Sequence, residues 1–232
     1  SNISGAGAIT LANGQNVTLT ADYTSDLTYS GVMSNAGTST LALTKSGAAT
    51  LTLSGANSYE GGTSITAGAV IVDNASALGS NATTVAMSTG TTLAINDTFT
   101  VTNPITVAGT VTFDPVSGTS TLTGDVSSTG NVVVDGSGTL VFSGAKNYTG
   151  ATTVSNGALT LAGANAIEDT TSLTLSSGTT LNIASGAQTI SNISGAGAIT
   201  LANGQNVTLT ADYTSDLTYS GVMSNAGTST LA

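Results

Sequence analysis

Apolar and hydroxyl side chains alternate along short stretches of this chain. Val17-Thr18-Leu19-Thr20, Thr50-Leu51-Thr52-Leu53, Thr139-Leu140-Val141-Phe142, Ala158-Leu159-Thr160-Leu161 and Ser172-Leu173-Thr174-Leu175 all follow the rule. A period of two predicts strands of about four to six residues, with one face buried and the other solvated. Turn signals divide them: Asn13-Gly14, Ser46-Gly47, Asp135-Gly136, Asn156-Gly157 and Ser177-Gly178. No stretch of a dozen residues carries a helical apolar stripe, and the nearest candidate, Ala164 to Ile167, is too short. The chain reads as almost entirely strand and turn.

Composition sharpens this picture. The mean hydropathy is +0.28 and 39% of the residues are apolar, which excludes the low hydrophobicity of a disordered Ser/Thr/Gly-rich segment. Two Lys and twelve acidic residues leave a net charge of -10, too little positive charge to neutralise nucleic-acid phosphates or to dock on anionic lipid. His and Cys are both absent, so disulfides are excluded, as are the usual ligands of zinc and haem. No apolar run is long enough to cross a membrane as a helix, and residues 1–30 show no basic segment leading into an apolar signal core.

The chain repeats itself. Residues 191–232 are identical to residues 1–42, an offset of 190. The expected organisation is therefore one continuous segment, 1–232, with a period covering 1–190 and restarting at 191, taken from a longer tandem array. Within the period a weaker similarity aligns Leu53-Ser54-Gly55-Ala56-Asn57-Ser58-Tyr59 with Phe142-Ser143-Gly144-Ala145-Lys146-Asn147-Tyr148, an offset of 89. Each period thus holds two diverged units of about 89 and 101 residues.

Short strands, frequent turns and a tandem period predict a β-solenoid, an all-β fold in which each coil hydrogen-bonds to the next about 4.8 Å away. Leu, Val, Ile and Ala point inward, while β-branched Thr suits an uncharged outer face. Stacked like charges one strand spacing apart would repel, in keeping with so few charged residues. With coils of about 20 to 25 residues, one period amounts to about eight or nine coils. An array of immunoglobulin-like sandwiches of about 95 residues is the structural alternative, although nine aromatic residues are few for such cores.

One element occurs twice. Its first copy runs from Gly47 through Leu51, Leu53, Gly55, Asn57, Tyr59 and Gly61 to Gly68 and Val72; its second runs from Gly138 through Leu140, Gly144, Tyr148 and Gly150 to Gly157 and Leu161. A Gly-x-Leu-x-Leu-Ser-Gly strand, an Asn-x-Tyr-x-Gly turn, a Thr-rich strand and a Gly-capped apolar strand together resemble the passenger-associated transport repeat of autotransporter proteins. The resemblance implies a right-handed parallel β-helix on a Gram-negative cell surface, exported with the help of a C-terminal outer-membrane barrel. The identical 190-residue period departs from typical passengers, whose repeats have diverged, and points to a long fibrous protein: an adhesin stalk or, alternatively, the self-assembling subunit of an extracellular filament or sheath. The expected partners are neighbouring repeats of the same chain, copies of itself in a filament, and a host or neighbouring-cell surface. No nucleic acid and no membrane insertion by this segment are expected.

Candidate chemistry is sparse. No catalytic, metal-binding or cofactor residue is assigned, no cofactor is expected, and the segment is not expected to be an enzyme. Lys45 and Lys146 do not occupy equivalent positions, and Glu168-Asp169 is the one adjacent acidic pair, whereas glycoside hydrolysis needs two carboxylates facing one another. Calcium would find only single carboxylates, at Asp22, Asp26, Glu60, Asp73, Asp97, Asp114, Asp125 and Asp135 besides that pair. Tyr59 and Tyr148 are read as packing over a coil edge and bonding a turn, with carbohydrate stacking as the alternative. Asn57 and Asn147 are read as a stacked corner ladder. The irregular spacing of Thr18/Thr20, Thr50/Thr52 and Thr119/Thr121/Thr123 speaks against an ice-binding face. Asn16, Asn81 and Asn147 head glycosylation sequons of the kind chance supplies in this composition.

Overall fold

Inward-facing apolar residues and outward-facing hydroxyls separate as the alternation predicts. In Thr40–Lys45 the side chains of Leu41, Leu43 and Lys45 are buried, and in Thr50–Leu53 those of Leu51 and Leu53 are. A computed structural model describes residues 3–143, 146–164, 166–167, 172–186, 188–202, 204–210, 218–228 and 230–231. Among these there is no helix. Every strand pair is parallel, and the strands stack as a β-solenoid of about nine turns. Parallel pairing throughout excludes the sandwich alternative, whose sheets are antiparallel.

Each turn crosses three faces. The first is built from Asn16–Ala21, Thr40–Lys45, Thr63–Ile65, Val85–Met87, Ile105–Val107, Val126–Ser128 and Lys146–Tyr148, paired in that order. The second runs through Leu27–Tyr29, Thr50–Leu53, Ala69–Val72, Thr92–Ile95 and Thr110–Pro115. The third includes Met33–Ser34, Thr100–Val101 and Thr119–Leu122. The long strands Asn131–Ser143 and Thr152–Ala162 pass from the second face to the third without a break in pairing, apart from register shifts near Asp135.

Turns are unequal in length. Leu19 pairs with Leu43, whereas Ile183 pairs with Leu201, so the later turn is shorter by a quarter. Bends and bulges between faces absorb the difference, which leaves the stacked strands in phase.

One apolar cluster extends from Ile3 to Leu201. Phe142 sits in it with its ring edge-to-face against Phe113 at 6.4 Å and against Tyr148 at 6.5 Å. Like charges do stack among the described residues: Asp114 follows Phe113, and Asp135 follows Val134, in strands where Phe113 pairs with Val134. Partial burial, and then the neighbouring Asp135, hold the Asp114 carboxyl above its usual range.

Phe142→Ala is expected to cost about 3–5 kcal/mol of unfolding free energy, because the cavity lies among rings that cannot collapse. Thr52→Ala on the outer face is expected to stay within about 0.5 kcal/mol. Urea denaturation of both variants measures the contrast.

Candidate functional site

The element found twice in the sequence is a single turn that closes on itself. Its opening Leu51 and Leu53 pair with its closing Val70 and Val72, and in the second copy Leu140 and Phe142 pair with Leu159 and Leu161. All eight side chains are buried. The repeat therefore supplies both the lower and the upper strand of one hydrogen-bonded step.

The tyrosine belongs to the interior. Tyr59 and Tyr148 are fully buried. Each hydroxyl shares a hydrogen bond with the threonine four residues on, Tyr59 with Thr63 Oγ1 at 2.7 Å and Tyr148 with Thr152 Oγ1 at 2.5 Å. Burial drives both phenol pKa values far up. This removes the carbohydrate-stacking alternative, since no ring face reaches solvent.

Two residues before each tyrosine, a polar side chain also points inward. Asn57 accepts from the Met33 N–H at 2.8 Å and donates to the Ala77 carbonyl at 2.7 Å, tying together the turns below and above it. Lys146 holds that place in the second copy, where its Nζ donates to the Gly124 and Ser143 carbonyls at 2.9 and 2.8 Å and lies 5.7 Å from the centre of the Phe142 ring. Asn147, one residue nearer the tyrosine, is exposed. Asn57 and Asn147 do not form the expected corner ladder: Asn57 spends its amide on the backbone of the turns below and above it, Asn147 is exposed, and about four turns separate the two. A mixed row of hydroxyls and one amide stacks elsewhere: Asn182 donates to Thr160 Oγ1 at 3.3 Å and accepts from the Thr200 hydroxyl at 2.5 Å.

Both lysines of the chain are buried. Lys45 donates to the carbonyls of Gly47 and Ala67. Desolvation lowers the pKa of both amines, that of Lys146 to about 8, against the pull of Asp22 and Asp26 on Lys45 and of Asp125 on Lys146. Alternation in the sequence puts Lys45 on the inward side of its strand, and that signal was available to predict its burial.

The motif's glycines answer to close approach. A Cβ on Gly61 would lie 2.6 Å from the Leu41 carbonyl oxygen, and one on Gly150 would overlap that of Gly130. Gly68 and Gly157 open the closing strands at φ of 70° and 66°, left-handed values that disfavour other residues.

On the outer surface the carboxylates stay dispersed. No group of three His, Cys, Asp or Glu that could hold a metal occurs among the described residues. Asp114 and Asp135 stand side by side on the sheet, and Glu168 and Asp169 lie outside the described residues. An open groove across the first face is lined by Thr18, Thr44, Ser64, Thr84 and Ala86 together with Gly61 and Gly62. It has neither the charge nor the aromatic surface that sugar or anion recognition draws on.

Gly150→Ala is expected to destabilise the fold by about 1–3 kcal/mol through overpacking, which a shift of the denaturation midpoint records. Stability is also expected to depend on pH. Between about pH 8 and the ordinary lysine value of 10.5, the unfolded chain keeps a proton that folded Lys146 has released, so raising the pH stabilises the fold. Above the ordinary tyrosine value of 10.0 the unfolded chain loses phenol protons that Tyr59 and Tyr148 retain when folded, so further alkali destabilises it. Denaturation across the alkaline range should show a maximum near pH 10.

Residues 43–72 and 132–161 match the family model described as passenger-associated-transport-repeat. No curated protein and no solved structure matches the chain. The chain thus carries two repeats of the kind found in autotransporter passengers, a family that implies a secreted or surface-exposed protein.

Proposed function

We propose that this segment is the stiff extracellular stalk of a bacterial cell-surface, autotransporter-like adhesin, holding a binding region away from an outer membrane and performing no catalysis of its own. The observation that carries this reading is the single apolar core running unbroken from Ile3 to Leu201 beneath an outer surface of small hydroxyl side chains. A core shared by every turn resists bending, because a bend must open the backbone ladder on one side and compress it on the other. A surface of Thr and Ser offers little purchase for an anchor residue of the sort that dominates binding interfaces.

In this reading the partners of the segment are its own neighbouring repeats, and contact with a host or neighbouring cell belongs to another part of the protein. Electron microscopy of the native surface material tests the assignment. A stalk should show isolated rods about 20 to 30 Å wide, the breadth of one three-faced turn with its side chains. Bundles several times wider would favour the subunit of a filament or sheath and overturn the stalk reading.

A further inference from the structure

The two periodicities of this chain meet at one number. Gly5 bridges to Tyr29, and the ladder continues from Tyr29 to Leu53, Val72, Ile95 and Pro115. From Phe113 in that last strand it continues through Val134, Val154, Leu175 and Gly195. Those are nine steps, and Gly195 is the residue one 190-residue period after Gly5. With one sidestep of two residues along Thr110–Pro115, a whole number of turns thus separates a residue from its copy and leaves both on the same face.

The restart is built as the start is. Gly195 bridges to Tyr219 as Gly5 does to Tyr29. The Tyr29 hydroxyl donates to the Gly7 carbonyl at 2.5 Å, and the Tyr219 hydroxyl to that of Gly197 at 2.6 Å. The Ser30 N–H donates to the Gly5 carbonyl and the Ser220 N–H to that of Gly195, both at 2.8 Å.

The shorter internal unit does not close in this way. Leu53 lies on the second face, but its counterpart in the second copy, Phe142, lies on the third. Thr63 lies on the first face and its counterpart Thr152 on the second. Each diverged unit is therefore four turns plus a fraction, and one unit alone returns the motif rotated by one face.

We infer that the 190-residue block is a length module: copies join without a seam, each adds nine turns, and each returns every surface group to the same side of the rod. At the strand spacing one block contributes about 43 Å. An array would display each exposed group as a single row along one side, repeated at that interval. This holds whether the rod serves as a stalk or as a filament subunit.

The chain has no Cys, so a pair of labels can be placed cleanly. Thr28 and Thr218 are exposed, one period apart. In the double variant Thr28→Cys/Thr218→Cys, spin-label distance measurement should give a main peak at about 43 Å. A peak longer by several ångströms would place the two labels on different sides of the rod and overturn the inference. A second variant appends another copy of residues 43–232. Small-angle scattering should show the rod lengthened by about 43 Å at unchanged cross-section, with far-ultraviolet circular dichroism per residue unchanged. The same extension lacking residues 43–52, about half a turn, should lose that spectrum over the added part. If it yields an equally regular rod, turn register is not the constraint and the inference falls.

Discussion

Everything in this molecule depends on the backbone hydrogen bonds between one turn and the next. A parallel ladder leaves no choice of side-chain direction once its register is set, since each residue sits directly over a partner that faces the same way. The inward column Leu51, Val70, Leu93, Phe113 is one result. The corner glycines are another: at Gly61 and Gly150 the neighbouring turn's carbonyl already occupies the space a side chain would need.

Where the chain leaves the ladder to turn a corner, its carbonyls and amides lose their partners, and burying them unpaired would cost several kcal/mol in total. The inward polar residues stand at those places. Asn57 serves Met33 and Ala77, Lys146 serves Gly124 and Ser143, and Gln188 accepts from the Ala166 N–H and donates to the Gly163 carbonyl. An ammonium, an amide and a longer amide do one job at corners of different widths. The lysines here are structural donors, each serving a pair of backbone carbonyls.

Much of the fold was legible in the chain because both of its signals are local. Thr50-Leu51-Thr52-Leu53 alternates within four residues, and Asn13-Gly14 or Asn156-Gly157 mark turns within two. The repeat also leaves a trace of the stacking unit, since its closing Val70 and Val72 lie one turn after its opening Leu51 and Leu53. Azimuth was not readable. The unequal lengths of the turns are set by bends and bulges that alternation does not encode, so the internal similarity did not reveal that its two copies look out from different faces. The fates of Asn57 and Asn147 were hidden for the same reason: the motif tolerates a one-residue difference in spacing, and the sheet turns that difference into inside against outside.

Burial of Lys45 and Lys146 also determines what the rod shows to its surroundings. Those are the only cationic side chains in the sequence, against ten carboxylates in each period. Among the described residues the exterior carries acidic side chains and no cationic one, and apart from the partial pull of the two buried lysines on Asp22, Asp26 and Asp125, mobile ions must supply the neutralising atmosphere. Two such rods lying side by side repel along their whole length in dilute salt. In brine, where screening shortens to about 3 Å at 1 M, that repulsion collapses. The spacing between neighbouring rods in concentrated solution is then governed by the ionic strength of the medium.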